Sequence, residues 1–144
     1  MKKRQVVITG AGACGLMAAI MAARNGAAVT VLEQNEKPGK KICATGNGRC
    51  NFSNLARPDD AYRGEHPEFV EDALREFSVE NTIEFFKEIG IYPLNRNGYL
   101  YPRSNQAQSV VDVLCMEAAS LGVKIKTNRS EERRVGKECR SRWS

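Results

Sequence analysis

The stretch that most constrains the fold lies near the start of the chain, at residues 6–33, and reads VVITGAGACGLMAAIMAARNGAAVTVLE. It begins with a short β-branched apolar run, typical of a strand that is buried on both faces of a parallel sheet. Three glycines follow at G-x-G-x-x-G spacing, namely Gly10, Gly12 and Gly15. The alanine-rich segment from Cys14 to about Arg24 then predicts a helix.

Each glycine of this motif has a separate physical reason in a phosphate-binding turn. The first permits the tight turn, the second lets a pyrophosphate approach the backbone, and the third lets helix and strand pack closely. The unpaired N–H groups and the positive dipole end of the helix would face the anion. This places Ala13 and Cys14, at the start of the helix, beside the glycines as candidate cofactor-binding residues.

A second strand completes the unit. Gly26 is placed to end the helix, residues 29–32 read as a strand, and Glu33 stands at its end. A carboxylate at this distance from the glycines can accept hydrogen bonds from a ribose diol. We therefore predict a dinucleotide site; the alternative is a glycine-rich turn in another α/β domain, with Glu33 solvated.

Length and composition restrict the class of protein. The 144 residues suffice for one domain at most. No apolar run reaches the length that spans a membrane, and we recognise no secretory signal, so a cytoplasmic protein without a membrane partner is expected. The five cysteines form no C-x-x-C pair, which predicts reduced thiols and no metal site.

The segment from Gln34 to Pro58 is predicted to be a long irregular loop. It is basic, polar and rich in glycine, and such a loop after a nucleotide-binding strand can wrap phosphate or ring edges. A solvated surface loop is the alternative. The candidate cofactor-binding residues in it are Lys40, Lys41, Gly46, Gly48, Arg49 and Asn51.

Two helices are predicted next. Residues 67–77 have helical spacing, with His66 as a helix-entry residue rather than a catalytic base. Ser78 is a candidate N-cap for the second helix, which ends at Gly90. Asn81 stands where a capping box would carry an acid, so a complete box is not expected.

The remaining segments predict a hairpin, a helix and a strand. Asn97-Gly98 is a strong turn signal within residues 91–101. Tyr99, Tyr101 and Arg103 could face a ligand, although half-buried hairpin residues are the commoner case. Residues 106–121 form an amphipathic pattern that ends at Gly122, and residues 123–126 then read as a strand that joins the parallel sheet.

Two segments carry a family resemblance. The block GKKICATGNGRCNFSN, following the GAGACG turn and Glu33, resembles a bacterial and archaeal family of FAD-dependent flavoproteins. Its members are described as NAD(P)/FAD-dependent oxidoreductases, aminoacetone-oxidase-like or 3-dehydro-bile-acid-reductase-like proteins. The resemblance continues through FFKEIGIYPLNRNGYLYPRSNQAQSVVDVL and LGVKI, and so covers residues 6–128.

The resemblance implies an α/β fold: the N-terminal part of a Rossmann-like, glutathione-reductase-like FAD-binding domain, with a small helical and hairpin insertion. The glycine turn would face the FAD pyrophosphate, and Lys41 with residues 46–51 would lie along the cofactor. Cys50 would be a small buried residue near the flavin rather than half of a redox disulfide with Cys43.

The function implied is FAD-dependent oxidation or reduction of a small organic substrate, with NAD(P)H as a possible electron donor. An NAD(P)-dependent dehydrogenase domain and a non-catalytic nucleotide-binding module are the alternatives. No catalytic acid or base is identified, and the oligomeric state stays open. Family members are much longer, so this chain alone is expected to be inactive.

The last segment, Arg129 to Ser144, reads RSEERRVGKECRSRWS and holds six basic and three acidic residues. It resembles the translation of a sequencing-library adapter. We therefore expect a domain at residues 1–128 and a non-native tail at 129–144. The alternative is a genuine basic tail that binds nucleic acid. If the tail is not native, no nucleic-acid partner is expected.

Overall fold

The computed structural model describes residues 3–56, 61–66 and 68–129. A parallel sheet is built from β1 (Gln5–Thr9), β2 (Ala28–Leu32) and β6 (Lys124–Lys126), in the order β1-β2-β6. Helix α1 (Ala13–Arg24) connects β1 to β2, and α5 (Ala107–Ser120) leads into β6. The predicted strand–turn–helix–strand unit and the late parallel strand are thus confirmed.

The core lies on one face of this sheet, between the strands and helices α1 and α5. Val6 pairs with Val29 and Ile8 with Val31 in parallel register, and these side chains face the helices. The other face differs from the prediction, since Val7 is 65% exposed. Gln5, Val7 and Thr9, the alternate residues of β1, are all exposed, so only one face of this strand is buried.

The segment after β2 is not the irregular loop that its composition predicts. It contains the short helix α2 (Lys40–Ala44), a 3₁₀ turn at Thr45–Gly48 and the strand β3 (Ser53–Asn54). Helix α2 is held by Ile42, which is buried in the core, and by Gly39, which packs against Val111 of α5. Tertiary packing therefore supplies order that local propensity does not predict.

A second, antiparallel sheet has the order β3-β5-β4, with β4 at Pro93–Arg96 and β5 at Tyr99–Pro102. The predicted hairpin is confirmed. Asn97 and Gly98 have φ angles of 52° and 90°, and positive φ at both central residues is the requirement of a type I′ turn. The pairing of β3 with β5 was not predicted, because it joins segments far apart in sequence.

Helices α3 (Phe69–Glu76) and α4 (Val79–Glu88) occupy the two predicted helical segments. The apolar face of α3 is not buried, and Phe69 is 82% exposed. At α4 the expectation of an incomplete capping box is wrong. The Asn81 N–H donates to Ser78 Oγ at 3.2 Å, and the Ser78 N–H donates to Asn81 Oδ1 at 3.0 Å. An amide oxygen accepts here as a carboxylate would.

Arg24 ties the three long helices together. Its guanidinium pairs with Glu117 of α5 at 2.8 Å and with Glu88 of α4 at 3.2 Å, and it lies 5.4 Å from the centre of the Phe85 ring. These contacts link α1 to α4 and α5, and both of those helices contribute residues to a cleft beside α1.

Candidate functional site

A cleft of about 710 Å³ opens at the carboxyl end of β1. The glycine turn and the first turn of α1 form one wall, and α2 with the following turn forms another. Side chains of α4 and α5 line its inner end. Ligands of parallel α/β sheets bind at this position, beyond the carboxyl ends of the strands.

The three motif glycines behave as their spacing predicts. Gly10 has φ +87°, and its N–H donates to the Leu32 carbonyl at 2.7 Å. A Cβ at Gly15 would overlap the carbonyl oxygen of Gly10, so only glycine lets α1 approach β1 this closely. A Cβ at Gly12, in contrast, would meet no described atom within 4 Å, which leaves open space beside the helix.

The start of α1 is an open donor site. Gly12 occupies the N-cap position, no described side chain caps the helix, and the first intrahelical bond runs from the Leu16 N–H to the Gly12 carbonyl. The preceding N–H groups have no intrahelical acceptor. Free donors, the positive dipole end and a wall without a side chain together fit the pyrophosphate of a dinucleotide.

Glu33 is buried, with 6% of its surface exposed, and its carboxylate is turned into the fold. The Ala11 N–H donates to Oε2 at 2.6 Å, and the Asn35 N–H and side-chain amide donate to Oε1 at 2.8 and 2.6 Å. The hydrogen bonds from Asn35 and Ala11 hold the pKa of this carboxyl below its usual value, although burial acts in the opposite direction. Glu33 therefore fastens the glycine turn to the end of β2, and its contact with a ribose stays a prediction.

The turn after α2 supplies the other wall. Lys41, Thr45, Cys50 and Asn51 line the cleft. Cys50 is 6% exposed and has a left-handed backbone at φ 59°. Burial raises the pKa of its thiol, partly offset by a hydrogen bond with Thr45. The prediction of a small buried residue at this position is confirmed.

Eight of the predicted site residues line one cleft, and five do not. Those in the cleft are Gly10, Gly12, Ala13, Cys14, Gly15, Lys41, Cys50 and Asn51. Gly46, Gly48 and Arg49 belong to the adjoining turn, and Glu33 lies behind the glycines. Lys40 instead faces a second cavity of about 570 Å³ between the 35–40 segment and α5.

The inner end of the cleft is apolar, and the sequence pattern does not identify its residues as part of a site. Its residues come mainly from the buried sides of α1, α4 and α5: Met17, Phe85, Phe86, Val110 and Leu114. The helical spacing of these residues predicts only that they face inward, because core-lining and cleft-lining positions share one pattern. The Phe86 ring packs against the Phe52 ring at a tilt of 47°, with ring centres 4.7 Å apart.

Other kinds of site find no support in the described part of the chain. Within it, no group of three or more His, Cys, Asp and Glu residues could hold a metal ion. The four cysteines that the structure describes, Cys14, Cys43, Cys50 and Cys115, are free thiols. No helix among the described residues has the length and apolar character needed to cross a bilayer.

The parallel strand–glycine turn–helix–strand unit and its cleft define a Rossmann-type dinucleotide-binding domain. Comparison with known families agrees, since the model described as HI0933-like protein Rossmann domain matches residues 4–141. The chain belongs to this HI0933-like family. Within this family of flavoprotein oxidoreductases, the chain corresponds to the Rossmann-like, FAD-binding domain, as the sequence resemblance implied.

Individual relatives extend this result. The chain is 50% identical over 125 residues to a 3-dehydro-bile acid delta(4,6)-reductase of Clostridium scindens, covering 85% of this chain and 31% of that protein. It is 34% identical over 139 residues to a ribosomal RNA dihydrouridine synthase of Escherichia coli, covering 96% of this chain and 34% of that protein. The chain thus spans about a third of the length of these relatives.

A solved structure shares the fold. The 3-ketosteroid-delta4-(5alpha)-dehydrogenase of Rhodococcus jostii RHA1 superposes with a TM-score of 0.62 at 18% identity, over 89% of this chain and 38% of that one. The family match extends into residues 130–144, which lie outside the described residues. The boundary at residues 128/129 and the non-native tail therefore stay predictions.

Proposed function

We propose that the cleft binds FAD and that the chain is the cofactor-binding part of a longer oxidoreductase. The observation that carries the proposal is the uncapped start of α1 beside Gly12, where donors and open space coincide. FAD supplies two-electron redox chemistry when it is bound. Membership of a flavoprotein family supports FAD over NAD(P) as the resident dinucleotide.

The residues of this chain would bind and shield the cofactor. The N–H groups of residues 13–15 would hold the pyrophosphate, and the Lys41 ammonium, on the facing wall, would balance its charge. The apolar inner end would keep water from the ring system, because Phe85, Val110 and Leu114 offer no hydrogen bonds. Catalytic groups are not assigned in this chain.

We further propose that the longer enzyme reduces a carbon–carbon double bond conjugated with a carbonyl group. The names of two relatives support this class. A delta(4,6)-reductase acting on a 3-dehydro bile acid and a synthase of dihydrouridine both describe the addition of two hydrogens to such a bond. The balanced reaction adds one hydride and one proton to the substrate. A nicotinamide cofactor is proposed as the hydride source.

The higher identity to the bile-acid reductase favours a steroid-like enone as substrate. Uridine in RNA is the second candidate, favoured by the similarity to the ribosomal RNA enzyme. The two candidates differ in one simple assay. The full-length protein would consume NAD(P)H with a 4-en-3-one steroid in the first case and with uridine-containing ribosomal RNA in the second.

FAD binding is tested by one substitution with a matched control. Gly12→Ser places a hydroxymethyl group in the open space, and serine is a good N-cap whose oxygen would take the same N–H groups. We expect it to leave the fold intact and to weaken FAD binding about tenfold or more, measured by quenching of flavin fluorescence. Ala18→Ser, exposed on the same helix, should bind FAD like the wild type.

Two results would contradict the proposal. The first is a folded wild-type chain that shows no saturable FAD binding. The second is a Gly12→Ser variant that binds FAD as tightly as Ala18→Ser does.

A cytoplasmic location belongs to the same proposal, supported by the free thiols of the described chain, which suit a reducing compartment.

A further inference from the structure

The turn that follows α2 has an unusual backbone. Gly46, Asn47, Gly48 and Cys50 all have positive φ angles, at 55°, 53°, 79° and 59°. Asparagine tolerates the left-handed region, but cysteine does so only under strain, so Cys50 keeps this conformation only if the surrounding structure imposes it. The turn also presents Thr45, Cys50 and Asn51 to the cleft.

The antiparallel sheet supports this turn. The Phe52 N–H donates to the Leu100 carbonyl of β5 at 3.0 Å. In the orientation that hydrogen bonding favours, the side-chain amide of Asn51 donates to the carbonyls of Ser53 at 2.7 Å and Leu100 at 3.1 Å. Strand β5 therefore holds the end of the turn through its backbone.

Tyr101, the next residue of β5, holds the middle of the turn through its side chain. The Arg49 guanidinium lies 5.8 Å from the centre of the Tyr101 ring, within the range of a cation–π contact. Arg49 also donates from Nε to the Gly46 carbonyl at 3.4 Å. The ring edge lies so near Gly46 that a Cβ there would be 3.3 Å from Tyr101 Cε1 and 2.9 Å from the Asn51 nitrogen.

Among the described residues Tyr101 does not line the cleft, but it contacts two residues of the turn that does. We propose that Tyr101 is a positioning residue, which holds the Thr45–Asn51 turn in its strained conformation and thereby sets how tightly the cleft binds its dinucleotide. This inference rests on the proposed function, since the turn faces the same cleft. The ring acts on the ligand only through Arg49 and Gly46.

The test uses the 144-residue protein and compares Tyr101→Leu with Tyr101→Phe, which keeps the ring. Tyr99→Leu is the control, because Tyr99 lies on the same strand and is 48% exposed. The first readout needs no cofactor: the rate at which iodoacetamide alkylates the buried Cys50 thiol, followed by mass spectrometry. Cys115, which is half-buried on α5, reports any general loosening in the same sample.

Tyr101→Leu should raise the alkylation rate of Cys50 about tenfold and leave that of Cys115 unchanged, because only the turn opens. The second readout is FAD affinity, which should fall about fivefold to tenfold. Tyr101→Phe should restore both values, since a phenyl ring keeps the contact with Arg49. Tyr99→Leu should match the wild type in both.

Wild-type values of both readouts in a folded Tyr101→Leu variant would overturn the inference. Faster alkylation of Cys50 with unchanged FAD affinity would also overturn it, since the contact would then be structural only. If Tyr101→Leu does not fold, as judged by circular dichroism, Arg49→Met removes the other partner and must give the same two changes. A wild-type chain without FAD binding would instead refute the proposed function, and the Cys50 rate alone would then decide whether Tyr101 holds the turn.

Discussion

Gly15→Ala tests the closest contact between α1 and β1. An added Cβ would lie 3.0 Å from the carbonyl carbon of Gly10, nearer still to its oxygen, and 3.6 Å from Ile8 Cγ2. The clash is with backbone, so no change of rotamer relieves it and the helix must move. Leu16 and Ile20, both fully buried on that helix, would have to move with it.

The magnitude follows from two opposing terms. Overpacking of this kind costs about 3 kcal/mol at the upper end of its usual range. Alanine in a helix regains about 1 kcal/mol relative to glycine. The net loss is about 2 kcal/mol, which corresponds to a fall in Tm of roughly 7 °C for a chain of this size.

The assay is urea unfolding followed by circular dichroism, with Gly12→Ser as the control. Both variants add a side chain within the same motif, but only the one at Gly15 meets backbone, so Gly12→Ser should stay within about 0.5 kcal/mol of the wild type. A Gly15→Ala protein as stable as the wild type would refute this account of the third glycine.

Three further predictions concern stability. Glu33→Gln should cost about 2 kcal/mol at pH 7, because a buried charge-assisted hydrogen bond is lost and an amide N–H faces a donor. The folded-state pKa of Glu33 is lowered, so its contribution is present above the unfolded value of roughly 4.3 and is lost as the pH falls through the lower, folded value. Arg24→Met should cost about 1 kcal/mol, less in high salt, because its pairs with Glu88 and Glu117 are partly exposed. Asn81→Ala should cost about 1 kcal/mol through loss of the capping box.

Each of these predictions has its own check. For Glu33, the difference in unfolding free energy between wild type and variant must shrink below pH 4; a constant difference would be evidence against the lowered pKa. For Arg24, Arg24→Lys should recover only part of the loss, and an effect that is insensitive to salt would argue against ion pairing. For Asn81, Asn81→Asp should retain most of the stability, and equal loss in both variants would mean that the side-chain acceptor is unimportant.

The parts of the fold that follow local rules could be predicted from the sequence. The glycine motif, the hairpin turn at Asn97-Gly98 and the glycine that ends each long helix depend on neighbouring residues alone. The parallel strand after α5 follows from the repeated helix–glycine–strand pattern. The glycine motif alone accounts for five of the thirteen predicted site residues in the cleft, namely Gly10, Gly12, Ala13, Cys14 and Gly15.

The features that the sequence does not predict depend on contacts between segments that are far apart in the chain. Helix α2 is short and gains its order from Ile42 in the core, which no local pattern reveals. The sequence alone does not distinguish the directions of Lys40 and Lys41. In helix α2 the two neighbouring side chains point about 100° apart, and only Lys41 reaches the cleft. Exposure of Val7 likewise depends on what covers the sheet, and an apolar run does not contain that information.

The central claim is that a dinucleotide binds at the glycine turn, and amide chemical shifts during a titration of the ¹⁵N-labelled chain with FAD test it most directly. Binding at the glycine turn should give saturable shifts at residues 12–15 and 45–51, with little change at Gln108 and Asp112 in the second cavity. Shifts confined to that second cavity, or no saturable shifts in a folded chain, would contradict it.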